Sequence, residues 1–390
     1  MNLSELKKDI KIVRDNNIFT HGLAVGNHCV IDGPITSSKQ VHVISHAHQD
    51  HVTDSHISKT MRLKDAKMLS TEATKRLLRN GPRQRNILHD YRFEHIDYGE
   101  TSEPFENQGN IQFELKDAGH ILGSAQVKLL DPNLDFTVGY SGDIGAKVHN
   151  PIDTDVLILD ATYANIYDDG SNFSRDSVFE AVIKLINHSI QNEMNLHIAG
   201  GNGILQELLH IIGSETELWN INPNVYTDKK QIIQWVDVYK NYPEKGKQPH
   251  QLHNLMDDDF IFGEGSEEYR KLKKSNRPII NIFNNTNDIQ NLAGEKDLIL
   301  NIDNSPFKRV KSLDELEPQN GKHYYDLPLT AHETGESMLR YIELVNPSVI
   351  LTDVRNDTQN DLKLSQNIVS HFPNIKSWAT RELDTIQNES

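Results

Sequence analysis

The chain has 390 residues, with 56 acidic against 40 basic side chains and a net charge of −16. That length exceeds one ordinary hydrophobic core, so two domains or one large layered domain are expected. The acidic balance argues against a nonspecific nucleic-acid binder, which needs local positive charge. No run of about 18 apolar residues occurs, so no membrane-spanning helix is predicted. The first residues, Met1-Asn2-Leu3-Ser4-Glu5, lack the apolar core of a signal peptide. Cys29 is the one cysteine, which excludes an intramolecular disulfide and fits a reducing, cytoplasmic setting. Beside the strand-like Val30-Ile31 it reads as a small buried hydrophobe.

Residues 1–15 carry Leu3, Leu6, Ile10 and Val13 near helical spacing and predict a short amphipathic helix. Residues 20–45 read as short strands broken by Gly22, Gly26 and Gly33-Pro34. The last strand, Val41-His42-Val43-Ile44, runs straight into Ser45-His46-Ala47-His48-Gln49-Asp50-His51. Three histidines and an aspartate thus fall within six positions at a strand exit. Neutral imidazole and ionised carboxylate together suit zinc or a similar divalent metal. A His-rich surface loop accounts for one or two of these residues, but not for the H-x-H-x-D-H order.

From Lys59 to Arg92 ten Lys/Arg stand against three acids, a local balance of +7 in an acidic chain. A solvated helix face and a polyanion-facing patch both fit that bias. Ser70-Thr71-Glu72 opens a helix here, carrying Lys75 and Arg76 as candidate substrate contacts. Three further stretches repeat one pattern, a strand delivering a polar residue at its end. They are Asp117-Ala118-Gly119-His120, Tyr140-Ser141-Gly142-Asp143 and Leu157-Ile158-Leu159-Asp160. Singly, each reads as an Asx turn or a surface residue. Together, strand ends of a layered sheet can converge on one site.

From about 166 to 325 the texture changes. Ser174–His188 and Ile204–Ile212 read as helices and Leu196–Ala199 as a buried strand, with alternation again near Ile279–Phe283 and Leu298–Ile302. This predicts a second α/β domain. Gly200-Gly201-Asn202-Gly203, between strand and helix, is either a sharp turn or an anion cradle, with Gly201 and Gly203 as substrate-binding candidates. The stretch 241–278 looks loop-rich. Leu327–Thr330 leads to His332 at a turn, Glu336–Val345 is a helix, and Val349–Thr352 is a strand ending at Asp353.

Taken together these residues resemble the metallo-β-lactamase superfamily, specifically its β-CASP nuclease branch of RNase J-like, cleavage-and-polyadenylation and Artemis-like enzymes. The superfamily's H-x-H-x-D-H matches His46, His48, Asp50 and His51; its later histidine resembles His120 and its bridging aspartate Asp143. The branch's acidic motif resembles Asp160-Ala161-Thr162-Tyr163, and its histidine motif Thr330-Ala331-His332. The resemblance implies an α/β fold, a four-layer αββα sandwich formed by 1–165 and 326–390. An α/β β-CASP domain is inserted at 166–325, with the substrate in the cleft between. It implies two divalent metals, Zn²⁺ first and Mn²⁺ as the alternative. His46, His48 and His120 would hold one, Asp50 and His51 the other, and Asp143 would bridge. His332 would be the general acid, oriented by Asp160. Asp50, Asp160 and His332 are thus the catalytic candidates.

Two departures stand out. The branch's third motif carries histidine in RNA-directed members and valine in DNA-directed ones; here it is Asp353-Val354, which makes Asp353 a candidate extra ligand. A Gly-Arg pair is replaced by Gly203-Ile204. The implied activity is hydrolysis of phosphodiester bonds in RNA or single-stranded DNA, with no membrane partner and a homodimer allowed. The alternatives are a small-molecule hydrolase of the same fold, acting on a lactam, lactone or thioester, and an inactive nucleic-acid-binding relative.

Overall fold

The N-terminal helix is shorter than its hydrophobic spacing predicts. In the computed structural model Leu3–Asp9 is helical, and Ile10–Arg14 forms strand β1. Ile10, Ile12 and Val13 are β-branched and stiff, which favours a strand. Neighbours on both sides complete its ladder, β2 (His21–Val25) antiparallel and β19 (Thr385–Gln387) parallel. The structure describes residues 1–14, 21–79, 91–145, 148, 150–162, 175–214, 224–227, 230–241, 261–262, 267–274, 278–283, 294, 297–303, 323–328, 332, 335–355 and 359–387. Two units emerge from the contacts: Met1–Asp168 with Lys245–Pro249 and His332–Ser390, and Asp169–Glu244 with His250–Ala331.

The first unit contains two mixed sheets. One has the order β19-β1-β2-β3-β4-β5-β6, adding β3 (Cys29–Ile31), β4 (Val41–Val43), β5 (Lys67–Ser70) and β6 (Phe93–His95). The other has the order β18-β17-β10-β9-β8-β7. Its strands are β7 (Gln112–Asp117), β8 (Ala125–Leu130), β9 (Val138–Tyr140), β10 (Val156–Asp160), β17 (Val349–Asp353) and β18 (Lys376–Ala379). Side chains alternate across each strand. Along β10, Val156 and Ile158 join Leu23, Val25, Phe113 and Tyr140 in one core between the sheets. Leu157 and Leu159 point the other way, onto Met338, Tyr341 and Ile342 of helix Gly335–Val345 and onto Leu364 and Ile368 of helix Asn360–His371. Each such side chain contributes roughly 2 kcal/mol on burial. Packing on both faces therefore holds β10 fast beneath the carboxylate at its exit.

Cys29 lies inside β3, fully buried, and burial pushes its thiol well up. A thiol held neutral is a packing group, as its sequence context predicts.

His42, in β4, is also fully buried; burial, helped by neighbouring His56, lowers its pKa to about 3. Between that value and the ordinary histidine value near 6.5, the unfolded chain binds a proton that the folded chain refuses. Stability therefore falls on acidification through this window, by up to about 1.4 kcal/mol per pH unit for this one group. His42→Leu should flatten the slope of unfolding free energy against pH by about one proton. Thr60, which lies 3.2 Å from His42 Nδ1, keeps its own bond to the His56 carbonyl. Urea titrations at several pH values check this; an unchanged slope would contradict it.

In the second unit all described strand pairs are parallel. The order is β13-β12-β14-β11-β15-β16, from β11 (Leu196–Ala199), β12 (Asn224–Tyr226), β13 (Ile261–Phe262), β14 (Ile279–Phe283), β15 (Leu298–Asp303) and β16 (His323–Pro328). Parallel strands need crossovers, here supplied by helices such as Ile204–Ser214 and Lys230–Asn241. β13 and helix Glu267–Lys274 lie in the stretch that reads as loop-rich; most of its other residues are outside those described. Among the described residues, no helix is long and apolar enough to cross a membrane.

Candidate metal centre

The first donors follow β4. Asp32, after β3, shapes their loop: its Oδ1 accepts the Ser45 N–H and its Oδ2 the Ser45 hydroxyl, both at 2.8 Å. Asp32 Oδ2 also meets His51 Nδ1 at 2.7 Å. Asp32 adopts φ 50° and Gly33 φ 70°; an aspartate tolerates this left-handed backbone because its short polar side chain bonds locally. Gly22 leaves no room for a Cβ against the Asp32 carbonyl, so the turn packs tightly on β2. Beyond the loop, Thr53 caps helix Asp54–Arg62 through the His56 N–H.

His120 sits in the β7–β8 turn. Ser124 Oγ accepts the N–H groups of His120 and Ile121, while Thr71 and Thr74 donate to the Gly123 carbonyl at 2.7 and 2.9 Å. Asp143 follows β9. A Cβ on Gly145 would collide with the Gly119 carbonyl oxygen, so only glycine lets the His120 and Asp143 turns meet. Asp160 ends β10, and its Oδ2 meets His332 Nδ1 at 2.9 Å.

Residues from distant loops thus converge. His46 Nε2 lies 3.2 Å from His48 Nδ1, which lies 3.0 Å from His120 Nε2. Asp143 Oδ2 is 3.4 Å from His46 Nε2 and 3.6 Å from His120 Nε2. Ligands at the usual zinc distance of about 2.0–2.1 Å in a tetrahedron stand about 3.3 Å apart, close to these spacings. Asp143 Oδ1 faces a second group, 3.0 Å from His51 Nε2, with Asp50 Oδ2 3.8 Å from the same nitrogen. His51 Nε2 is buried and makes no hydrogen bond of good geometry, an orphan that a cation would satisfy. The two donor groups share Asp143, and each could hold a metal ion. Asp143, Asp160 and His332 form a third close group, with His332 Nε2 3.5 Å from Asp143 Oδ2.

The charges interlock. Burial opposes ionisation of Asp143, but His51, His332 and His46 hold its carboxyl well below the usual range. Burial likewise opposes protonation of His51, yet Asp143, Asp50 and Asp32 raise it well above the usual histidine value. His120 is pushed well down, by burial first and then by His332. His332 is lifted to about 9: burial disfavours its charge, but Asp143 and Asp160 outweigh that.

Three of the candidate residues lie apart from the donor groups. Asp353 is outside the donor groups found among the described residues. β17 lies beyond β10 from β9, one strand further from Asp143. There Asp353 Oδ1 meets His21 Nε2 at 2.9 Å and accepts the Thr380 hydroxyl at 2.7 Å. Lys75 is 7 % exposed; its ammonium donates to the Phe93 carbonyl and lies 5.0 Å from that ring, so it packs into the protein instead of facing a polyanion. Gly203, with φ 96°, already donates its N–H to Gln206 Oε1 at 2.5 Å, which removes that group from an anion cradle. Arg76 pairs with Glu72 at 3.0 Å, one helical turn back. Gly201 belongs to the second unit, where its carbonyl accepts the Leu205 N–H. Thr330, Ala331 and Tyr163, with Arg83 and Arg85 of the basic stretch 59–92, lie outside the described residues.

Asp32 and Arg355 escaped the sequence reading. Asp32 follows Val30-Ile31 at a strand exit, the pattern that singled out Asp143, and could have been found by it. Nothing in the sequence marks Arg355.

Fold and site together define an α/β protein with mixed sheets and a largely buried His/Asp cluster that could hold metal. No family model matches the chain. No curated protein matches it either. Among solved structures it is similar to the crystal structure of a protein of unknown function from Enterococcus faecalis V583. That similarity has 15% sequence identity and a TM-score of 0.59, over 95% of this chain and 97% of the other. At that identity the likeness shows the fold alone.

Proposed function

We propose that this chain is a metal-dependent nuclease of the β-CASP branch of the metallo-β-lactamase superfamily, hydrolysing phosphodiester bonds of RNA or single-stranded DNA. In this reading the two mixed sheets and their outer helices are the αββα sandwich, and the second unit is the inserted domain. The observation that carries it is Asp143. One of its oxygens serves the His46–His48–His120 group, the other faces His51, and a His332–Asp160 pair stands against the first.

Two bound ions, Zn²⁺ or Mn²⁺, would supply an activated water and offset the phosphoryl charge. The chain's own groups do the rest. Asp160 accepts the Nδ1 proton of His332, which fixes the tautomer and turns Nε2 toward Asp143. His332, carrying a proton at neutral pH, gives it from Nε2 to the departing oxygen. Asp143 and Asp50 keep both donor groups anionic.

A polynucleotide partner is supported by one surface feature. Tyr91 is 80 % exposed, with Lys67 Nζ 5.6 Å and the Arg92 guanidinium carbon 6.0 Å from its ring centre, while Lys67 also pairs with Glu94 at 2.9 Å and Arg92 donates to the Met61 carbonyl at 2.7 Å. Cleavage should therefore weaken by about tenfold or more between roughly 50 and 200 mM salt, and indifference to salt would count against this partner. The deciding assay incubates metal-loaded protein with 5′-labelled RNA, 5′-labelled single-stranded DNA and a chromogenic lactam. Cleavage of either polynucleotide sustains the proposal, and turnover of the lactam alone refutes it.

A further inference from the structure

Beside the metal donors lies a buried charge cluster with no part in the chemistry just described. At its centre is Arg355, two residues past β17 and 8 % exposed. Its Nη1 donates to the His21 carbonyl and lies 3.5 Å from the Asp50 carbonyl. Nη2 donates to the Tyr140 hydroxyl at 3.2 Å and lies 3.5 Å from Asp32 Oδ2. Nε lies 3.5 Å from Asp353 Oδ2. Asp32 and Asp353 are themselves buried, at 0 % and 3 % exposure.

Such a cluster is a poor source of stability. Desolvating one guanidinium and two carboxylates costs about as much as their attraction returns, and apolar side chains would fill the space as well. Direction is what it supplies. A rigid planar guanidinium whose nitrogens each face different partners ties those partners, Asp32 among them, to one plane. Asp32, so fixed, meets His51 Nδ1 at 2.7 Å, which leaves His51 Nε2 aimed at Asp143. The same guanidinium reaches the main chain of Asp50, the other donor of that group. The first donor group reaches Asp32 only indirectly, through Ser45, whose Oγ lies 3.0 Å from His46 Nδ1 and donates to Asp32 Oδ2, and its His120 has anchors of its own. His120 is held through Ser124, and the turn behind it by Thr71 and Thr74.

We infer that Arg355 is a positioning residue for the second metal position, holding Asp32 and the Asp50 main chain so that His51 and Asp50 face Asp143. Asp353 steadies Arg355 and is not itself a ligand. The inference rests on the two-metal reading but needs no particular substrate.

Calorimetric Zn²⁺ titration of the metal-stripped full chain tests it. Wild type should bind in two steps, with His120→Ala identifying the first and His51→Ala the second. Arg355→Lys keeps the charge and loses the planar set of nitrogens that spans these partners. It should weaken the second step about ten- to a hundredfold and leave the first within about threefold, with an unchanged melting temperature without metal. A purely structural role would move both steps together or neither, and either result would overturn the inference. Should Arg355→Lys not fold, Arg355→Gln with Asp353→Asn removes one charge of each sign and must give the same selective loss. A single step in wild type would overturn the inference along with the two-metal reading. Two steps with the selective loss, but no cleavage of any polynucleotide, would uphold the inference and remove the nuclease.

Discussion

Asp143→Asn should yield a folded protein that keeps at most one ion per chain and cleaves phosphodiesters about a thousandfold more slowly, or worse. Asp143 works with both oxygens, Oδ2 toward His46 and His120 and Oδ1 toward His51. An amide offers one acceptor oxygen and turns its NH₂ on the other group. Folding survives because the charges are mutual. Asp143 is the leading carboxylate raising both His51 and His332. Once it is neutral, both imidazoles lose their main reason to be charged, and a neutral buried imidazole costs far less than an unpaired ion. Elemental analysis, circular dichroism and rate on one preparation decide the matter. Two retained ions with an unaltered rate would end the bridging assignment.

His332→Ala should lower kcat by about a hundred- to ten-thousandfold, leave KM within about threefold and keep both metals. The deficit should shrink with a p-nitrophenyl phosphodiester, whose leaving group departs without a proton. The pH profile gives a separate reading. Because the folded pKa is raised, to about 9 without metal, the active protonated form persists on the acid side and is lost as pH rises through that value. The alkaline limb of the profile should vanish in His332→Ala. Asp160→Asn should shift it toward lower pH, since the removed carboxylate is one of those lifting His332. A variant with full kcat and a weakened KM would show that His332 only contacts substrate.

The chain announces some of this site and hides the rest. His46, His48, Asp50 and His51 are legible because a short strand and one turn fix them locally. His120, Asp143 and Asp160 are legible because each ends a strand or follows one within three residues, and strand ends of one sheet lie at one edge. That rule gives position along a strand but not the order of strands. Asp353 ends β17 in register with Asp160 of β10, yet β17 lies on the far side of β10 from β9, so Asp353 meets His21 instead of metal. Lys75 misleads in another way. A lysine in a polar helix reads as solvated, but its long apolar stem can be buried once a carbonyl, here that of Phe93, receives the ammonium. Arg355 was invisible because its partners Asp32, Tyr140 and His21 are each more than 200 positions away in the chain.

The pairing of β1 with β19 sets an order of events during synthesis. β1 emerges first and must wait for residues near 385 to cover its open edge. Meanwhile His46, His48, Asp50, His51, His120 and Asp143 have all left the ribosome, while His332 and Arg355 have not. A nascent chain can therefore load metal long before its proposed proton donor exists. In the proposed reading, a product released early would hold its metal donors without the proton donor and would be a far slower nuclease than the finished chain.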